Sequence, residues 1–411
     1  MRRVVITGLS AVTPIGVGLE NFWSACKEGC SGVRDISSLF PIPDSASCIA
    51  GVVENFYVDT LGINREYTKY DRVALFAFYA IEEALEKAGI LSSHLADKEA
   101  RIGVYLSSAV SQITSMERFY NYHNHFPGYN PFLFNNLTFL IMEKFKIRGR
   151  CLSIPTGCAG GVDALSHSVK AIRSGMLDMV ITGAAEAPIT PLVVAAFNKI
   201  GATSTKRNKT PKSASRPFDK DRDGFVLSEG CGILILESLE HALKRNAHIY
   251  AEVAGVGSVN NAFHMTDIPQ DGEAIAESCN LALKDAGLFP QDIDFINAHG
   301  SSTPQNDIAE TQAFHRVFGE RASCIPVSSI KSQTGHALAA ANAIELVSAV
   351  MSIQEQVVPP TINLDSQDPE CKLNVIKKGE KVDRIEKILK TSSGFSGIHS
   401  SAIIQKFERS L

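Results

Sequence analysis

The chain has 411 residues, 45% of them hydrophobic, which is enough for one large core or two fused ones and excludes a disordered protein. A formal charge of −4, with no long basic run, gives no reason to expect a nucleic-acid partner. No apolar run reaches the roughly eighteen residues a membrane helix needs, and Met1-Arg2-Arg3 leads directly into strand-like Val4-Val5-Ile6, so neither a membrane span nor a signal peptide is expected.

Val4 to Gly8 reads as a buried strand running into a Gly/Pro loop that ends near Gly18, and the missing GxGxxG spacing argues against a dinucleotide site. Arg72 to Ala88 carries apolar residues at helical spacing, with Gly89 as a stop, and Arg101 to Ser107 reads as a strand. Between Ser111 and Gly149 the chain is aromatic-rich and reads as irregular, a cap over a pocket or a subunit contact. Its aromatics include Phe119, Tyr120, Tyr122, Phe126, Tyr129, Phe132, Phe134 and Phe139.

Ser153-Ile-Pro-Thr-Gly-Cys-Ala-Gly-Gly-Val-Asp-Ala-Leu165 is a strand-to-helix corner with Cys158 at its centre. The unpaired N–H groups of a helix start favour a thiolate, and the small residues around it leave room for a substrate chain. The corner reads either as a nucleophile or as a small buried cysteine in a tight turn. Nine scattered cysteines, with no CxxC pair and no zinc spacing, point to a reduced, cytoplasmic compartment.

Met179 to Gly183 and Gly232 to Glu237 read as strands. The intervening loop from Thr203 to Pro217, with Lys206, Arg207, Lys209 and Lys212, is either solvated or a docking patch for an acidic partner.

The second half repeats the first. Glu83-Ala-Leu-Glu-Lys-Ala-Gly-Ile90 returns as Leu281-Ala-Leu-Lys-Asp-Ala-Gly-Leu288, each followed by a strand, and on that register the stretch from Ser328 to Asn342 is the counterpart of the Cys158 corner. The segment from Gly394 to Ile404 answers Asp223 to Leu236. The pattern predicts an α/β protein of two duplicated halves, 1–250 and 251–411, with the nucleophile and the cap or dimer insertions in the first and two candidate histidines in the second.

Those histidines lie in Asn297-Ala-His-Gly-Ser-Ser-Thr-Pro-Gln-Asn-Asp307 and in Lys331-Ser-Gln-Thr-Gly-His336. His299 is at a strand end, and His336 opens a helix whose N-terminus disfavours a positive ring. Each could be structural. Two neutral N–H donors beside a cysteine would suit acyl transfer.

Together, Thr-Gly-Cys-Ala-Gly-Gly, Asn-Ala-His-Gly-Ser-Ser-Thr, Lys-Ser-Gln-Thr-Gly-His and Gly-Phe-Ser-Gly make the chain resemble the β-ketoacyl synthases of the thiolase superfamily over essentially its whole length. The resemblance implies a thiolase fold layered α/β/α/β/α and a decarboxylating condensing acyltransferase of the elongating class. It implies that Cys158 takes an acyl chain from the phosphopantetheine arm of an acyl carrier protein, while His299 and His336 assist decarboxylation of a malonyl thioester. It implies an oxyanion hole from the N–H groups of Cys158 and Phe395, Phe395 as gate, and Lys331 paired with Glu345, with Asp307 in the same polar network. No metal or redox cofactor is implied. Carrier proteins are acidic, which makes Arg65, Lys69, Lys206 and Arg207 docking candidates.

A thiolase would carry a second reactive cysteine near Gly394 to Ser401, and an initiating synthase an asparagine at His336; neither is present. Gly157, the Ser108 to Arg118 segment, Pro191 to Phe197, Gln305-Asn-Asp307 and Ser400-Ser-Ala402 resemble the ketosynthase alpha subunits of type II polyketide synthases, which implies a heterodimer with a chain-length factor. A homodimeric fatty-acid synthase is the alternative, and a non-catalytic chain-length partner is disfavoured by Cys158. Ser396, where glycine is usual, and His399, where fatty-acid enzymes have asparagine, depart from the pattern and leave gating and substrate length open.

Overall fold

A computed structural model describes residues 1–54, 56, 70–95, 101–122, 132–382 and 384–409. Ten strands and five helices position the site. In the first half they are β1 (Val4–Thr13), α1 (Arg72–Lys87), β2 (Ile102–Ser107), β3 (Arg150–Ile154), α2 (Gly160–Arg173), β4 (Met179–Glu186) and β5 (Gly230–Ser238). In the second they are β6 (Ala251–Asn260), α3 (Glu273–Ala286), β7 (Phe295–Asn297), α4 (Pro304–Phe318), β8 (Pro326–Ser328), α5 (Leu338–Glu355), β9 (Lys387–Gly394) and β10 (Ile398–Gln405).

The strand order of the first half, β1-β5-β4-β2-β3, recurs in the second as β6-β10-β9-β7-β8. The pairing senses recur with it. Two antiparallel steps, β1–β5 and β5–β4, are followed by the parallel steps β4–β2 and β2–β3. Likewise β6–β10 and β10–β9 are antiparallel, and β9–β7 and β7–β8 parallel. The halves join where β1 meets β6 through Val5↔Glu252 and Ile6↔Ala251.

Strand alternation then builds the layers. Leu234 and Leu236 of β5 face a central core with α2 and α5, while Ile233 and Ile235 face an outer core with α1. In the second half, Ile388 and Ile404 face α5, whereas Leu389 and Ile403 face α3 and α4. The result is α/β/α/β/α, with α5 buried along its length from Leu338 to Ile353.

The segment read as irregular contains two helices, Ile113–Tyr122 and Asn136–Phe145; Phe126 and Tyr129 lie outside the described residues. Leu137, Leu140 and Ile141 repeat at helical spacing and are buried against α1. Aromatic content hid that period. Among the described residues no helix is long and apolar enough to cross a membrane.

The two central helices meet at Gly161 of α2, where a Cβ would stand 2.6 Å from the Ala343 nitrogen and 3.0 Å from the Ala339 carbonyl of α5. Backbone atoms cannot yield as a flexible side chain can. Gly161→Ala is therefore expected to cost about 1–3 kcal/mol and to lower the thermal midpoint by several degrees, read by calorimetry; an unchanged midpoint would contradict this packing.

Candidate active site

β3 ends at Ile154, and a single 3-10 turn, Gly157–Ala159, carries Cys158 into α2. Gly157 takes φ +54°, a left-handed conformation that favours glycine. Cys158 is half-buried, and its own N–H and that of Phe395 lie within hydrogen-bonding reach of the sulfur. The β9–β10 tip comes this near because residue 394 is glycine: a Cβ there would lie 3.1 Å from the Ala159 nitrogen and 3.4 Å from that of Cys158. From α5, Asn342 Nδ2 donates to the Cys158 carbonyl, which also accepts from Ser392 Oγ at 3.4 Å.

Burial pushes the Cys158 thiol up to about 12, against the charge of Lys331 and the two N–H groups. Desolvation thus outweighs the helix-start effect expected from the sequence, and the resting group is a thiol.

His299 follows β7, and its ring is fixed from behind. The His299 backbone N–H donates to Glu310 Oε1 at 2.7 Å and to Thr391 Oγ1 at 3.1 Å, and the Gly300 backbone N–H donates to Glu310 Oε2 at 2.8 Å. Lys331 Nζ donates to the His299 carbonyl at 2.6 Å and to Glu345 Oε1 at 2.5 Å, and faces His299 Nδ1 at 3.5 Å. An ammonium only donates, so Nδ1 is the acceptor and the ring proton is on Nε2.

His336 is anchored by its backbone N–H to the Val226 carbonyl at 2.7 Å, and its Nδ1 is buried with no hydrogen-bond partner among the described residues. Its ring centre is 5.3 Å from that of His299 and 5.2 Å from that of Phe225. Burial first, and Lys331 second, hold both imidazoles well below the usual histidine range, so both are neutral at pH 7. The helix start, to which the sequence reading attributed the neutrality of His336, is not needed for it.

Cys158, His299, His336 and Phe395 line one cavity of about 230 Å³, together with Phe197 and Phe225. Phe395 leans on Phe197 with ring centres 6.3 Å apart. Beside it Ser396 takes φ +67°, held by its N–H to the Met265 carbonyl at 2.6 Å and by Asn260 Nδ2 on its own carbonyl at 2.7 Å. The loop therefore keeps a glycine-like conformation with a serine in place. His399 is buried between Ser393 Oγ and Asn261 Nδ2, each at 3.0 Å, and burial pushes it down to about 4, so it too is neutral.

Asp307 is not in the Lys331–Glu345 network. It accepts from the Phe218 N–H at 2.9 Å and from Asn306 Nδ2 at 3.1 Å, and lies 3.5 Å from Arg222, because the first turn of α4 points it toward the Arg216–Arg222 segment. Of the docking candidates, Arg65 and Lys69 lie outside the described residues. Lys206 borders a surface depression that shares Gly201 and Asp223 with the cavity. Arg207 is turned inward, donating to the Asp221 carbonyl at 3.0 Å and standing 4.0 Å from Asp223.

Sequence reasoning missed Glu310, Asn342, Thr391 and Lys390. Lys390 is buried and 2.7 Å from Glu345 Oε2, so Glu345 bridges two lysines. A signal was present: Lys390 interrupts a strand that is otherwise apolar or small from Ile388 to Gly394.

A half-buried thiol facing two backbone N–H groups, with two neutral imidazoles in the same cavity of a duplicated α/β fold, is chemically suited to acyl transfer. Residues 1–242 match the family described as "Beta-ketoacyl synthase, N-terminal domain" and residues 250–365 "Beta-ketoacyl synthase, C-terminal domain". The chain belongs to the β-ketoacyl synthase family, whose members are condensing acyltransferases.

The tetracenomycin polyketide synthase ketoacyl synthase alpha subunit of Streptomyces glaucescens is 38% identical, the match covering 98% of this chain and 97% of that one. The 3-oxoacyl-[acyl-carrier-protein] synthase 2 of Synechocystis is also 38% identical, over 99% of each. Among solved structures, a type II PKS acyl-carrier protein in complex with its ketosynthase bound to the hexaketide matches at 41% identity and TM-score 0.88, over 99% of this chain and 100% of that one. The ishigamide ketosynthase/chain length factor matches at 29% identity and TM-score 0.89, with the same coverage.

The state of the thiol can be measured by iodoacetamide alkylation, followed peptide by peptide in a mass spectrometer. Labelling of Cys158 is expected to rise about tenfold per pH unit from about pH 7 to 9 without levelling. A plateau reached below about pH 8 would reveal a resting thiolate.

Proposed function

We propose that this chain is the ketosynthase alpha subunit of a type II polyketide synthase, extending a chain on Cys158 with malonyl units delivered by an acyl carrier protein. The observation that carries the reading is the single cavity shared by the Cys158 sulfur, two N–H groups and two neutral imidazoles.

In the first step the Cys158 sulfur attacks the acyl thioester as its proton passes to water, and the carrier thiol leaves with a proton. In the second, the malonyl thioester loses carbon dioxide, and the enolate oxygen accepts N–H groups of His299 and His336. The enolate carbon then attacks the Cys158 thioester. The N–H groups of Cys158 and Phe395 hold the oxygen of the tetrahedral intermediate, which collapses with expulsion of the sulfur. Lys331, tied to Glu345, keeps the His299 ring in the Nε2–H form. Phe395, on the β9–β10 tip, gates the cavity.

Overall identity does not separate the branches, since the polyketide and 3-oxoacyl relatives named above are equally similar. The polyketide reading is supported by the hexaketide-bound relative and by Gly157, Gln305-Asn306-Asp307 and Ser400-Ser401-Ala402. A partner subunit is supported by the ketosynthase/chain length factor relative. It is also supported by the surface beside β3, which ends the strand series and packs against the helix Asn136–Phe145, whose Phe139 is exposed. Lys206, at the depression beside the cavity, is the docking candidate best placed for an acidic carrier. The nine free thiols fit a cytoplasmic enzyme.

The test expresses the chain alone and with a chain-length-factor homologue that lacks the cysteine, and follows loaded carrier protein by intact mass. A one-to-one complex that makes multiply extended products is expected, with Cys158→Ala losing at least about a thousandfold in rate. A homodimer that extends saturated acyl chains without the partner would replace this reading with the fatty-acid one.

A further inference from the structure

Lys390 lies outside the mechanism above, yet its side chain is fully buried. Every neighbour of its Nζ is an acceptor: Glu345 Oε2 at 2.7 Å, the Thr391 carbonyl at 2.5 Å and the Ala298 and Asn297 carbonyls at 3.4 and 3.5 Å. An amine would aim its lone pair at one of them, whereas an ammonium has three N–H groups for the closest of these acceptors; burial pushes Lys390 down to about 8, against the pull of Glu345.

The charges around it come in pairs. Glu345 on α5 and Glu310 on α4 are buried carboxylates, and Lys331 and Lys390 are the buried cations beside them. Burial raises the proton affinity of Glu310, and the donors from Thr391, Gly300 and His299, with the charge of Lys390, act against that in favour of its ionised form. Without Lys390 the cluster would hold two carboxylates and one cation. The Glu345 and Glu310 carboxyls could take up a proton only at the cost of bonds they accept from Lys331, His299, Gly300 and Thr391; the other groups of the cluster able to take one up are the imidazoles of His299, His399 and His336, the last with a buried Nδ1 that has no partner among the described residues. A protonated imidazole has no place in a step that needs His299 Nδ1 to accept from Lys331.

We propose that Lys390 is a positioning residue for decarboxylation: by balancing the Glu345 and Glu310 carboxylates it keeps the His299 and His336 rings neutral and His299 in its Nε2–H form. This rests on the reading of the cavity as a condensing site. Lys390 touches no substrate and acts through the rings. The direction agrees with its charge, which lowers the proton affinity of both rings.

The experiment uses the active enzyme, with its partner subunit if one is required, and reads two half-reactions between about pH 6 and 8. These are acylation of Cys158 from acyl-carrier protein, by intact mass, and release of carbon dioxide from malonyl-carrier protein. In Lys390→Met, and in Lys390→Gln, which keeps a donor for the Thr391 carbonyl, acylation at about pH 8 should stay within about threefold of wild type. Decarboxylation should fall about tenfold or more from about pH 8 to 6, the loss expected once a ring titrates at about pH 7. Wild type and Lys390→Arg should vary by less than about twofold over that span.

A flat profile in the neutral variants, or parallel loss of both half-reactions at all pH values, overturns the proposal. If neither neutral variant folds, nitrogen-15 histidine spectra of the wild-type enzyme decide: either ring gaining a proton above about pH 6 overturns it, and the Nε2–H form of His299 persisting to that pH supports it. A wild-type enzyme that releases no carbon dioxide would instead remove the condensing reading.

Discussion

The contact on which the rest depends is the one between α2 and α5, two helices buried back to back between the sheets. Gly161 lets them approach to backbone distance, and Gly232 of β5 does the same on the far side of α5, where a Cβ would stand 2.4 Å from the Ala343 carbonyl carbon. Cys158 sits at the start of α2, and Lys331 and His336 just before the start of α5, so this packing brings the two corners together. Asn342 fastens it by donating to the Cys158 carbonyl. Small residues here trade side-chain burial for proximity, and proximity is what a three-residue site drawn from distant parts of the chain requires.

Burial has two opposed effects at this site. It raises the cost of charging Cys158, His299 and His336, leaving a thiol and two neutral rings. It also makes every remaining charge consequential. Lys331, Lys390 and Glu345 are each about 1% exposed or less, and removing one partner from such a cluster leaves an unmatched charge that costs about 3–5 kcal/mol. The cluster is therefore as much a constraint on folding as on chemistry: a sequence that keeps the rings neutral must also keep its buried ions balanced.

Much of this was legible in the chain. The repeat linking Glu83–Ile90 to Leu281–Leu288 anticipated a strand order repeated in the two halves, because α1 and α3 occupy equivalent outer layers. The small-residue corners at Cys158 and His336 were visible as breaks between apolar strands and helical periods. What was hidden depends on three-dimensional neighbours. Asp307 was grouped with Lys331 because both belong to recognisable motifs, yet the first turn of α4 points it at Arg222. Helix-start logic suggested a thiolate at Cys158, but the helix effect is worth about 0.3–1 kcal/mol at an exposed terminus, less than the desolvation of a buried sulfur. Lys390 and Glu310 were overlooked because a single charged residue in a strand or helix reads as a solvent-facing one until the layers on both sides are known.

The central claim is that the sulfur and the two imidazoles serve separable halves of one reaction. It is tested most directly by measuring Cys158 acylation and malonyl-carrier decarboxylation side by side in wild type, His299→Ala and His336→Ala. The account predicts that each histidine variant still acquires the acyl mass on Cys158, within about tenfold of the wild-type rate, while carbon dioxide release falls by about 10² to 10⁴. Decarboxylation at the wild-type rate in either variant would contradict it.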